Sequence, residues 1–133
     1  MSETTSKTLR ITLVDDDPSV RSAVSRLLRS NNHWCKVYES AESALADPDF
    51  ASVDCLVLDV QLSGMNGFAL RDRLREMGSA TPCLFITAHP ETGSAEWKQA
   101  IGDSPCLTKP FEESQLLAAI DGLLRDRGFP LKP

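Results

Sequence analysis

Three consecutive carboxylates, Asp15, Asp16 and Asp17, follow the apolar run Leu9-Arg-Ile-Thr-Leu-Val14. A fourth, Asp59, follows Val53-Asp-Cys-Leu-Val-Leu58, and two further short runs end in Thr87-Ala88 and Thr108-Lys109-Pro110. Each has a bland explanation by itself: an Asp after a strand commonly caps a helix, a Thr fills a strand, and Lys-Pro makes a solvated turn. At one edge of one sheet the same residues make a site. Carboxylates a few ångströms apart cannot all stay ionised without compensation, so a cation is required. Oxygen donors without His or Cys select a hard ion, and Mg²⁺ takes one or two carboxylates while keeping water for substrate phosphate to displace. Lys109 adds a compact second positive charge suited to a phosphoryl oxygen. A metal, an amine and a hydroxyl around a carboxylate amount to a site for phosphoryl transfer onto that carboxylate.

For these residues to meet, the runs that carry them must be parallel neighbours. Five strand-sized runs are present: the two above, Trp34-Cys-Lys-Val-Tyr38, Cys83-Leu-Phe-Ile-Thr87 and Cys106-Leu-Thr108. Three of them are nearly continuous in apolar residues, the pattern of strands covered by helices on both faces. Val20, Ala23, Val24, Leu27 and Leu28 carry the helical period behind Asp17-Pro18, predicting a helix over 18–30 with Asp17 as its cap. Residues 67–77 and 112–127 repeat the period less perfectly. Residues 40–47 are short, and 91–101 contain Gly93 and few large apolar side chains, so this is expected to be the least stable helix. Alternating strands and helices imply an α/β, doubly wound parallel sheet with right-handed crossovers, whose ligand lies outside the carboxyl ends of the strands.

Composition agrees with one soluble domain of 133 residues, 41% apolar and 25% charged. Fourteen Lys and Arg against 19 Asp and Glu leave a net charge of −5, which opposes direct nucleic-acid binding by this chain. The polar start and the lack of a long apolar window predict neither secretion nor membrane spanning. Cys35, Cys55, Cys83 and Cys106 form no C-x-x-C pair, and each lies in an apolar stretch, so buried reduced thiols in a cytoplasmic protein are expected. Residues 1–8 and 128–133 read as tails around a domain at 9–127.

The segments Val14-Asp-Asp-Asp-Pro18, Leu56-Val-Leu-Asp-Val-Gln-Leu-Ser-Gly-Met-Asn-Gly67, Phe85-Ile-Thr-Ala88 and Leu107-Thr-Lys-Pro-Phe111 together resemble the motifs of two-component response-regulator receiver domains. The resemblance covers roughly residues 9–127. It implies a flavodoxin-like fold, a five-stranded parallel sheet of order 2-1-3-4-5 flanked by five helices. It further implies Asp59 as phosphoacceptor, with Thr87 contacting the phosphoryl group and Lys109 pairing with it. Mg²⁺ would be bound by Asp16 directly and by Asp15 through water, with Asp59 and the Gln61 backbone carbonyl also among the metal residues. The implied partners are a histidine kinase or histidine phosphotransfer protein on one side, and a downstream target or an output domain on the other. A monomer or a phosphorylation-dependent dimer would fit. The same resemblance expects a tight turn or close backbone approach at Gly67, a cis bond at Lys109-Pro110, and Gln61 and His89 flanking the path of the attacking water.

There are three departures from the family pattern: Ser63 replaces a frequent proline, Cys106 replaces a usual Tyr or Phe, and the segment 88–93 puts Pro90 and Gly93 where the fourth helix would begin. Without the aromatic ring, switching is expected to run through residues 88–96 and to reorganise the face at 88–125. Two rivals remain at this point. A haloacid-dehalogenase-like phosphatase would use Asp15 as nucleophile, but lacks an acidic pair after Lys109. A phosphorylation-independent interaction module should have lost one of the acidic residues, Thr87 or Lys109, and none is missing. A flavin module lacks a phosphate loop after the first strand.

Overall fold

The computed structural model describes residues 8–91 and 93–126, so the proposed tails fall outside the described residues apart from Thr8. The elements alternate: β1 Arg10–Val14, α1 Pro18–Ser30, β2 Trp34–Tyr38, α2 Ala41–Leu45, β3 Cys55–Asp59, α3 Gly67–Glu76, β4 Cys83–Thr87, α4 Ala95–Ile101, β5 Cys106–Thr108 and α5 Glu113–Asp126. All five strands are parallel, as the alternation of elements implied, and they lie in the order β2-β1-β3-β4-β5 that the family resemblance implied.

The continuous apolar runs behave as sheet centre. β3 and β4 are buried at every position, and β1 is buried apart from Arg10. Successive side chains point to opposite faces, which divides the core in two. Ile11, Leu13, Val57 and Ile86 pack with Val24, Leu28, Leu116 and Ile120 of α1 and α5. Val14, Leu56, Leu58 and Phe85 pack with Phe68, Leu70 and Trp97 of α3 and α4. The rings of Phe85, Phe68 and Trp97 meet edge to face at centroid separations of 4.9 and 5.1 Å, tying β4 to both helices.

Helix starts follow local chemistry. Asp17 Oδ1 accepts the Ser19 N–H while Pro18 opens α1, the expected capping arrangement. The fourth helix starts later than residue 91. It begins at Ala95 behind the Ser94 cap and has only 7 residues, because Pro90 and Gly93 hold the preceding segment out of helical geometry. The third strand begins at Cys55 rather than Val53, since Asp54 is occupied in bridging to Arg10: its N–H donates to Arg10 O, and its carboxylate accepts the Arg10 N–H.

Burial of all four thiols is corrected at one position. Cys35, Cys55 and Cys83 are buried, but Cys106 is exposed. It lies on β5, the sheet edge, which has a neighbour on one side only. The Lys109-Pro110 bond is cis.

Candidate functional site

The parallel sheet delivers Asp15, Asp59, Thr87 and Lys109 to one end, because each stands at or just beyond the last residue of β1, β3, β4 or β5. Asp15 is fully buried and Asp59 is 3% exposed, whereas Asp16 is exposed. Oxygens from these three carboxylates lie within 4.8 Å of one another. Asp17 is separated from them by its capping role, as the sequence suggested.

Each buried carboxylate oxygen has a definite neighbour. Asp15 Oδ1 accepts the Asp17 N–H at 2.9 Å, and Asp59 Oδ1 accepts the Gln61 N–H at 3.1 Å. The Lys109 ammonium lies 2.9 Å from Asp15 Oδ2 and 3.3 Å from Asp59 Oδ2. Its direction is that of a hydrogen bond only toward Asp59, so the buried Asp15 Oδ2 has an ion-pair neighbour but no directed donor among the described residues. A buried carboxylate oxygen in that condition is costly and is open to a metal ion. The donor set is all oxygen, which fits a hard divalent cation of the Mg²⁺ type.

Electrostatics follow from this crowding. Burial and then the neighbouring charge of Asp15 push the Asp59 carboxyl up to about 6, against the opposing pull of Lys109 and the Gln61 N–H. Burial by itself would lower the Lys109 pKa, but the adjacent carboxylate of Asp15, followed by that of Asp59, outweighs it and raises it. The amine therefore stays charged at neutral pH.

Two loops frame the carboxylates. After β3, Gly67 approaches the end of the strand so closely that a Cβ there would lie 2.4 Å from the Asp59 carbonyl oxygen. Close approach, and not positive φ, is what this position requires. Gly64 does have positive φ, +77°, and Glu42 reaches across from α2 to accept the Met65 N–H at 3.1 Å. Ser63 is exposed and its hydroxyl stands 3.5 Å from Asp16 Oδ2. After β4, the fully buried Thr87 donates its hydroxyl to Gln61 Oε1 at 2.6 Å and accepts the His89 N–H at 3.0 Å. Gln61 and His89 are both exposed.

Sequence reasoning missed Arg71 on α3, since an arginine at a helical position looks like a solvent-facing residue. It is 5% exposed and donates to the carbonyls of Ala100 and Ile101 and to Ser104 Oγ, clasping the end of α4. Its place in the helical period, one residue after Leu70 and three before Leu74, was the available signal.

A family model described as "Response regulator receiver domain" matches residues 11–121. The response regulator protein TodT of Pseudomonas putida is 35% identical over 115 residues, covering 86% of this chain and 51% of TodT. The chain thus spans about half the length of the curated relatives it matches. Among solved structures, the response regulator StyR is 35% identical with a TM-score of 0.76, over 90% of this chain and 60% of that one. The Vibrio cholerae chemotaxis protein CheY4 is 27% identical with a TM-score of 0.79, over 89% of this chain and all of that one.

Proposed function

The chain belongs to the response regulator receiver domain family, and from that premise we propose that Asp59 accepts a phosphoryl group from a phosphohistidine on a kinase or phosphotransfer protein. The observation that carries this reading is the pairing of the buried Asp59 with Lys109 beside two further carboxylates and the Thr87 hydroxyl. An Asp59 carboxylate oxygen attacks phosphorus as the bond to the partner's imidazole nitrogen breaks, and that imidazole leaves with a proton. Lys109 and Thr87 are the chain's own donors for the negative charge on the transferring oxygens. Asp15, Asp16, Asp59 and the Gln61 carbonyl are the residues to hold Mg²⁺, which when bound would neutralise charge on the phosphoryl oxygens. The domain acts as a signalling module, and its output falls to a downstream protein or an attached domain, as in the longer relatives. Its setting is taken as cytoplasmic, in keeping with four free thiols. Among the described residues no helix is long and apolar enough to cross a membrane.

Intact mass after incubation with a small acyl phosphate and Mg²⁺ tests the reading. The native chain should gain one phosphate and Asp59→Asn none. Phosphate on Asp59→Asn would instead point to Asp15 and a phosphatase-like use of the site.

A further inference from the structure

The hydroxyl of Thr87 has one proton to donate, and in this structure it goes to Gln61 Oε1 at 2.6 Å. The remaining bonds of Gln61 and Thr87 make this contact part of a closed ring. Gln61 Nε2 stands 3.4 Å from the His89 carbonyl, a long contact, and the His89 N–H donates to Thr87 Oγ1 at 3.0 Å. The ring joins the loop after β3 to the loop after β4. Thr87 is fully buried at the foot of the second loop, so its hydroxyl can turn to few alternative partners.

We propose that the Gln61 side chain is a positioning residue that holds the Thr87 hydroxyl in a resting hydrogen bond, and so sets the cost of engaging an oxyanion on Asp59. An anion attached to Asp59 can take the Thr87 proton only after the bond to Gln61 breaks. The same Gln61 amide holds the His89 carbonyl by its long Nε2 contact, so a Gln61 side chain that moves away when its Oε1 loses the Thr87 proton also loosens the start of the β4–α4 connection. The backbone of Gln61 has a separate task, since its N–H fixes Asp59 Oδ1. Replacing the side chain therefore leaves that contact in place. Exposure of Gln61 makes substitution tolerable to the fold.

The proposal rests on the phosphoacceptor reading, and the test separates the two. Gln61→Met keeps an unbranched side chain of similar length without the amide. In the untreated protein, amide exchange at His89 should be severalfold faster in Gln61→Met than in the native chain. Beryllium fluoride with Mg²⁺ should then bind Gln61→Met about two- to tenfold more tightly, the worth of one net hydrogen bond. Against a Thr87→Val background, the same substitution should change that affinity by less than about twofold, since the hydroxyl it releases is gone. Unchanged His89 exchange and unchanged beryllium fluoride affinity in Gln61→Met would overturn the latch, as would an equal tightening with and without the Thr87 hydroxyl. A native chain that binds no beryllium fluoride would overturn the phosphoacceptor reading instead, leaving His89 exchange to decide the latch.

Discussion

The Lys109 ammonium lies nearer to Asp15 Oδ2, at 2.9 Å, than to the corresponding oxygen of Asp59, at 3.3 Å. One cation is thus divided between two buried carboxylates, and the carboxylate proposed to react is the less closely paired of the two. Incomplete pairing explains why burial and the charge of Asp15 prevail at Asp59 and push it up to about 6.

A dependence of stability on pH follows in the absence of metal. The folded chain holds the Asp59 proton more tightly than an unfolded chain, whose Asp titrates near 3.9. This group therefore contributes most to stability below about pH 4, and the contribution is lost as pH rises through the window up to about 6. Asp59→Asn should then be more stable than the native apo protein at pH 7.5, by roughly 1–3 kcal/mol, with the gain shrinking toward pH 4. Urea unfolding at the two pH values checks it. A gain of equal size at both would assign the effect to something other than the Asp59 charge.

Gly67→Ala should damage the site through the backbone. The added Cβ would sit 2.4 Å from the Asp59 carbonyl oxygen and 3.2 Å from Val60 Cα, contacts that β3 can relieve only by moving its end. A cost of about 1–3 kcal/mol is expected from overpacking. Phosphorylation should fall as well, because the displaced residue is Asp59 itself. Urea midpoints and intact mass after a small phosphodonor measure the two effects, and native values for both would show that the turn yields elsewhere.

Most of this architecture is written in local chemistry. The apolar runs that become β1, β3 and β4 are continuous because helices cover both faces, and the polar residues at their carboxyl ends, Asp15, Asp59 and Thr87, stand out against that apolar background although they stay buried. Asp17 and Pro18 announce α1 in the same local way. Less visible are properties set by distant partners. Cys106 sits in an apolar stretch but is exposed, since its strand turns out to be an edge. The Gln61 to Thr87 bond joins residues 26 positions apart, and its direction depends on a rotamer that no spacing encodes. Arg71 is buried because the end of α4 offers it carbonyls, a fact of tertiary packing.

Loss of phosphate from Asp59 should depend on the residues that border the approach of water. The Gln61 amide can orient a water, and the exposed His89 imidazole can accept its proton. Gln61→Ala and His89→Ala should each change the decay rate severalfold without preventing phosphorylation. Decay curves that overlay the native one would leave the small, exposed Ala88 as the neighbouring residue that admits solvent.

The short α4 is held differently at its two ends, and that asymmetry predicts how the switching face moves. Its start hangs on the Ser94 cap behind the loop that begins with Thr87 and His89, while its end is clasped by Arg71 through the carbonyls of Ala100 and Ile101. Cys106 supplies no ring to couple β5 to the site, so phosphorylation should act first on residues 88–96. Hydrogen exchange should change most there, within an affected face at 88–125, and least where Arg71 holds the helix. Arg71→Met should remove the clasp, cost about 2–3 kcal/mol for lost bonds to a buried charge, and extend the exchange change through Ile101. A phosphorylation response confined to residues outside 88–125 would refute this route. A response in Arg71→Met identical to that of the native chain would show that Trp97, packed against Phe68, holds the helix without it.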